Sequence, residues 1–439
     1  MEKTRGSIPR LSARSEGPRG SPIFEDPVNN MVLSQDPPAE GLRVVNQVRT
    51  FIDEQTGRTI RQLTDFPQGA HLGYFRMFRQ LPDGRLLAWA RHDTGNAILI
   101  EPTSGDLTLL PGRLNSLKFR ERDGRNWFFR RADLGEPPAD RAERRKWKRQ
   151  GRQLWYIDLP DGAPVQVMDI PDDFPDVDDI TIDGEHLILR EAIQDLTAYP
   201  IPTTKDVASI NHYFSRPRSG QLMVYQIATG KQWTILETDG LCPLHVDTSP
   251  ADPGLIRYAL DMPDAHGQRC WTIRLDGTDR HPIRVQAFGE MVTHEFWWAD
   301  PRYIGYTYQD RREDPTLRTH HWAEYALAQT RLGLADLAAL EVYLSDPINC
   351  YHSHLYRSPD GQFVSGEGTH DHSFVHVAAV DLANPTLAMV PLATIHTEYV
   401  PFRGQGVDCN FSADSKWLIY ADKRDPAQPH QLFAVAVDV

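Results

Sequence analysis

Seven times along this chain a short Asp-containing turn leads into an apolar run, and few architectures accept so many equivalent hairpins. The turns are Pro82-Asp83-Gly84, Arg122-Asp123-Gly124, Ile182-Asp183-Gly184, Ala251-Asp252-Pro253-Gly254, Ala299-Asp300-Pro301, Pro359-Asp360-Gly361 and Ala413-Asp414-Ser415. Runs such as Leu86-Leu87-Ala88-Trp89 and Trp417-Leu418-Ile419-Tyr420 follow them. Most units carry a further strand that ends in a second turn, as Leu222-Met223-Val224-Tyr225 does before Thr229-Gly230. Strand, turn, strand, loop, strand, turn, strand is a four-stranded meander, and spacings of roughly 40 to 70 residues fit propeller blades with insertions. The expected fold is all-β, a seven-bladed β-propeller.

The chain ends on the strand Gln431-Leu432-Phe433-Ala434-Val435-Ala436-Val437, so the last blade lacks its outermost member. The orphan segment Arg58 to Thr64 can supply it, closing the ring and removing an exposed sheet edge. Residues 1–44, rich in Pro, Gly, Ser and charge, read as a disordered or loosely docked arm, and 45–439 as the propeller. The basic run Arg141 to Arg149 reads as a solvated loop or short helix in the second blade, with a polyanion patch as the alternative. Ala323 to Leu340 has helical propensity, with Leu332, Leu334, Leu337 and Leu340 spaced for one face. That conflicts with the strand the fifth blade needs there, and the residues leave the conflict open.

A net charge of −13 argues against nucleic acid as a partner, because such binding rests on phosphate neutralisation. No apolar run approaches a membrane span, and Met1-Glu2-Lys3-Thr4 leads into polar sequence, so a cytoplasmic protein is expected. Cys242, Cys270, Cys350 and Cys409 lie far apart without a Cys-x-x-Cys pair, which favours reduced, buried thiols.

Counting back four residues from the last four turns gives His245, His294, His354 and Asp408; the first three blades carry Met77, Leu117 and Val177 there. A lone strand histidine is usually a hydrogen-bonded core group. If these strands are the innermost of their blades, however, the four polar side chains converge on one side of the channel. Three imidazoles and a carboxylate form a metal and proton-transfer inventory. Oxygen from Asp408 and Gln405 shifts the set from zinc toward manganese or calcium. His352, His370, His372 and His376 lie nearby in sequence. The chain has no Gly-x-Ser-x-Gly elbow for nucleophilic hydrolysis.

Several segments together carry a family likeness. They are Thr50-Phe51-Ile52-Asp53 with Gly57, Arg61-Gln62-Leu63-Thr64, His245 before Ser249-Pro250, and Arg269-Cys270-Trp271 before Asp276-Gly277-Thr278. Thr293-His294-Glu295-Phe296-Trp297 and Ser353-His354-Leu355 before Asp360-Gly361 complete them. With these residues the chain beyond residue 45 resembles the oligogalacturonate lyases, intracellular seven-bladed propellers that cleave short pectin oligomers by β-elimination. The resemblance implies His245 as the catalytic base, His294 as a manganese ligand and an assisting arginine upstream, Arg216 or preferably Arg218. The family's Gln-x-x-His-x-His stretch here reads Gln405-Gly406-Val407-Asp408-Cys409-Asn410, with oxygen-bearing side chains in place of both histidines. The implied metal set is therefore His294, Gln405, Asp408 and Asn410 around a divalent ion, manganese first. An alignment without a gap moves the Gln match to Arg403, and His354 then steps in as a ligand. Arg269 and His354 are the candidate substrate contacts, and a small anionic oligosaccharide is the expected partner. Rival readings are a lyase for another uronate oligosaccharide and a non-catalytic propeller that binds sugars or proteins.

Overall fold

The computed structural model describes residues 43–44, 48–67, 69–72, 79–92, 95–110, 114–131, 134–136, 138–194, 198–199, 207–260, 262, 267–312, 330–338, 340–348, 352–368, 374–397, 407–424 and 427–439. Seven antiparallel sheets follow one another along the chain and form a seven-bladed propeller. Their innermost strands are Ala70–His71, Asn115–Arg120, Asp176–Ile180, Pro243–Thr248, Glu290–Trp297, His352–Arg357 and Asn410–Phe411. In the last blade the C-terminal strand Gln431–Ala436 pairs with Thr59–Gln62, Ile60 lying opposite Val435, so the N-terminal segment closes the ring as expected. Two edge strands go beyond that expectation. Arg49–Ile52 adds a fifth strand to the closing blade, and Arg43–Val44, the end of the expected arm, pairs with Leu107 and Thr108 on the first blade.

The recurring turn has a local cause. In all seven hairpins the turn aspartate, Asp83, Asp123, Asp183, Asp252, Asp300, Asp360 or Asp414, accepts a hydrogen bond from the backbone N–H two residues on, at 2.8 to 3.3 Å. An acidic side chain that mimics a backbone turn fixes the hairpin without tertiary help. Beyond the turn, second strands such as Leu255–Leu260 are buried along their whole length, because each blade packs between two neighbours. Tight packing also explains two glycines in the blade of His294, on its second and third strands. A Cβ on Gly305 would stand 2.5 Å from the Phe296 ring, and one on Gly333 would stand 2.1 Å from Tyr306.

The basic run forms helix α1 (Arg141–Arg149), between the second and third strands of the second blade. A second helix, α2 (Val207–Phe214), stands at the same place in the third blade and had no counterpart in the sequence reading. The conflict in the fifth blade is resolved toward a strand, Thr330–Asp336. Leu332 and Leu334 pair opposite Thr307 and Gly305 and are buried, whereas Leu340 is exposed, so the period is two and the helical spacing was incidental. Residues 323–329 of that stretch lie outside the described residues.

Candidate functional site

His245, His294, His354 and Asp408 occupy equivalent places in four consecutive blades. Four residues beyond each, Ser249, Trp298, Ser358 and Ser412 donate a backbone N–H across their hairpins to Leu255, Tyr303, Phe363 and Trp417 at 2.8 to 3.0 Å. The backbone sharpens the likeness. His245, His294 and Asp408 have φ of 52°, 51° and 44°, a left-handed conformation that non-glycine residues rarely adopt and that costs about 1–2 kcal/mol. Each opens a β-bulge, two residues facing one on the neighbouring strand: His245 and Val246 face Tyr258, and His294 and Glu295 face Tyr306. Asp408 and Cys409 face Tyr420 in the same way, between the Val407–Ala421 and Asn410–Ile419 pairs. In the sixth blade the bulge begins one residue earlier, with Ser353 and His354 facing Glu367. Three blades thus set a tyrosine opposite the bulge, and the fourth sets a carboxylate.

That carboxylate organises the site. One oxygen of Glu367 accepts a hydrogen bond from Nδ1 of His354, and the other accepts the backbone N–H of Asp408 at 3.0 Å. The His354 ring stands edge-on to His294, with centroids 4.6 Å apart. Burial would raise the Glu367 carboxyl, but His354 and the backbone N–H groups of Asp408 and Val407 outweigh it and hold it below its usual range. Blades five, six and seven are so joined through His294, His354, Glu367 and Asp408. His245, on the fourth blade, is exposed, while those three axial neighbours are half-buried.

Charge also extends to blades two and three, a correction to the expectation that polarity keeps to one side of the ring. Leu117 and Val177 pack against apolar neighbours, and Met77 lies outside the described residues. One and two residues further along, however, Lys118 and Asp179 enter the channel wall. Lys118 Nζ lies 3.0 Å from both Asp179 and Asp247 and donates to Thr248 O at 2.9 Å. Arg257 then bridges Asp247 at 2.6 Å and Glu295 at 2.9 Å, and Arg269 lies 3.7 Å from Glu295. Six alternating charges therefore run behind His245 and His294. Burial pushes the Asp179 carboxyl up to about 6 against the pull of Lys118, with Asp247 adding to the rise. Burial also opposes the Lys118 ammonium, yet its two carboxylates prevail and raise its pKa. Buried ion pairs of this kind fix geometry more than they add stability.

The remaining predicted residues fall as follows. Arg218 opens a strand of the third blade and donates from Nε to Gly240 O at 2.8 Å, bracing the loop that enters the His245 strand. Arg216 turns onto α2, donating to Tyr213 O at 2.7 Å and stacking on the Tyr213 ring. Arg269 is almost fully buried and donates to Thr293 Oγ1 at 3.3 Å, so it flanks His294 from within the wall. Asn410 is buried, and its Oδ1 has no hydrogen-bond partner among the described residues. Gln405, Arg403, His370 and His372 lie outside the described residues, and His376 sits in the third strand of its blade, off the axial register. Cys242, Cys270 and Cys409 are buried thiols. Among the described residues, Asp183, Glu185 and His186 form a group of His, Cys, Asp or Glu with ligand atoms all within 4.8 Å; it occupies the hairpin turn at the opposite end of the channel, and its two acids are exposed.

Seven antiparallel blades around a channel lined by imidazoles, carboxylates and left-handed bulges define a β-propeller with an axial polar site. Its fold is that of the oligogalacturonate lyases. An oligogalacturonate lyase solved in complex with manganese is 20% identical and aligns over 91% of this chain and 98% of its own, with a TM-score of 0.64. The oligogalacturonate lyase of Vibrio parahaemolyticus is 17% identical over 91% and 99% of the two chains, with a TM-score of 0.65. In sequence, 102 residues are 31% identical to the oligogalacturonide lyase of Pectobacterium atrosepticum, a match spanning 22% of this chain and 26% of that enzyme. No protein-family model matches the chain. Among the described residues, no helix is long and apolar enough to cross a membrane.

Proposed function

We propose that this propeller is a lyase that cleaves short uronate oligosaccharides, such as the oligogalacturonates of pectin, by β-elimination. The observation that carries the reading is an exposed histidine, His245, held in a left-handed bulge at the same channel level as the His294, His354 and Asp408 group, in a fold shared with two oligogalacturonate lyases.

The reaction needs a weakly acidic proton removed beside a carboxylate. Neutral His245 takes the proton from C5 of the uronate, the C4–O bond breaks, and a C4=C5 double bond forms. The departing oxygen picks up a proton to become the hydroxyl of the shortened oligosaccharide. Arg218, near the entry to the His245 strand, neutralises the substrate carboxylate as charge builds on it.

The residues fit a divalent cation. Glu367 occupies Nδ1 of His354 and so leaves Nε2 as its ligand atom, the orientation that carboxylate-bound histidines have at metal centres. Asn410 Oδ1 is a buried acceptor with no partner among the described residues. His294, Asp408 and Asn410, with Gln405 and His354, would hold the ion, and this mixture of nitrogen and oxygen suits manganese, with calcium next. When bound, the cation supplies positive charge that stabilises the enolate-like carboxylate. Arg269 keeps the His294 strand in place from behind. Three buried thiols suit the cytoplasm, where we place the protein.

Incubation with digalacturonate and other uronate oligomers, with manganese and then with chelator, tests this. Growth of ultraviolet absorbance from the unsaturated product is expected. No absorbance from any oligomer under any metal would end the reading.

A further inference from the structure

Helix α1 carries six basic residues and one acidic residue within nine positions, in a chain whose net charge is −13. Its place matters as much as its charge. It joins the second and third strands of the second blade, and in an antiparallel meander those connections lie at the channel end where the innermost strands begin. That is the end where His245 and His354 sit, each the third residue of its strand.

The helix is fixed there. Asp140 caps it by accepting the Glu143 N–H at 2.9 Å, Trp147 packs beneath Arg131 with the guanidinium 3.6 Å from the ring, and Arg149 lies 3.0 Å from Asp176. Asp176 directly precedes Val177, the third blade's counterpart of His245. The C-terminal end of α1 is therefore anchored at the level of the axial site, one blade away from the base. Positions 141, 145 and 148 share one helical face by their i, i+4, i+7 spacing, and Lys146 points into solvent.

We infer that α1 is a docking rim for the uronates beyond the cleavage point, which makes oligomers longer than the dimer the favoured ligands. The inference rests on the elimination reading of the axial site. A uronate oligomer bears one carboxylate on each sugar, and a helix with six basic residues in nine positions beside the mouth offers the complementary charge. The acidic remainder of the surface repels extended polyanions such as nucleic acid, whereas a short oligomer lying between rim and channel escapes it.

The test is equilibrium binding of digalacturonate and hexagalacturonate to the full chain carrying His245→Asn, which prevents turnover. The hexamer is expected to bind about ten-fold tighter than the dimer at low salt, the scale of a few exposed charge contacts. In the added triple variant Arg145→Glu, Lys146→Glu, Lys148→Glu the two oligomers then bind alike. Added salt erases the hexamer advantage in the protein with its helix unaltered, so a poorly folded triple variant leaves the inference open to test. A hexamer that binds no tighter than the dimer overturns the rim, as does an advantage that survives charge reversal or a hexameric single-stranded DNA that displaces the sugar equally well. Binding of the dimer without any hexamer advantage sinks the rim alone; failure of both sugars to bind sinks the elimination reading with it.

Discussion

Glu367 holds His354 by Nδ1 with one oxygen and, with the other, the N–H of Asp408 in the next blade. A single buried carboxylate therefore sets the tautomer of one axial histidine and the backbone of another axial group. Replacing Glu367 with Gln keeps the shape and removes the charge from both bonds. The expected cost is about 2 kcal/mol at neutral pH, seen as a lower Tm. Because the folded carboxyl lies below its ordinary range, its contribution is full above the unfolded value of about 4.3 and is lost as pH falls through the folded value. The Tm gap between the two proteins should close in acid. A gap that stays constant to the lowest pH would show that the charge does not matter.

His245 separates chemistry from strain. At φ 52° asparagine is tolerated and β-branched valine is not. His245→Asn and His245→Val should both lose turnover by about 10²- to 10⁴-fold, the usual worth of a general base. Only the valine variant should also lose about 1–2 kcal/mol in urea unfolding. Retained absorbance growth in the asparagine variant would move the base elsewhere.

What the sequence could reveal divides along the range of the interactions. The seven turns are legible because each aspartate bonds a backbone N–H two residues away, so the signal and its cause share one short window. His245, His294 and Asp408 are legible by counting from those turns. Glu367 is not, since its place opposite His354 depends on a bulge that begins one residue earlier than in the other blades. Its one sequence trace is an acid inside the strand Val364-Ser365-Gly366-Glu367-Gly368. Lys118 contacts Asp179 and Asp247 across separations of 61 and 129 residues, beyond any local pattern. The leucines after Ala323 misled for the opposite reason: a run too short to tell period two from period 3.6 was decided by pairing with Thr307 and Gly305.

Ring closure rests on few residues. Ile60 is fully buried against the last blade and lies opposite Val435. Ile60→Ala should cost about 3 kcal/mol in urea unfolding, within the range for large-to-small changes in a packed core. Hydrogen exchange should quicken along Gln431–Ala436, whose outer edge the closing strand covers. Unchanged exchange there would mean that the last blade stands without its N-terminal strand.

Lys118 is the keystone of the charged wall, because its ammonium lies 3.0 Å from both Asp179 and Asp247. Lys118→Met leaves the buried Asp179 carboxylate facing the half-buried Asp247 without its cation and should cost about 3–5 kcal/mol. Adding Asp179→Asn should recover part of that loss, since the unpaired charge goes with it. The single variant Asp179→Asn has a pH signature of its own. The folded carboxyl is raised to about 6, so its contribution to stability is present below the unfolded value of about 3.9 and is lost as pH rises through about 6. Asp179→Asn should therefore gain on the native protein across that window and run parallel to it above, the opposite sign to Glu367→Gln. Denaturant titrations at several pH values read the difference directly. A flat difference between about pH 4 and 6 would mean that Lys118 keeps Asp179 ionised throughout, and the alternation of charge along the wall would then be stronger than burial.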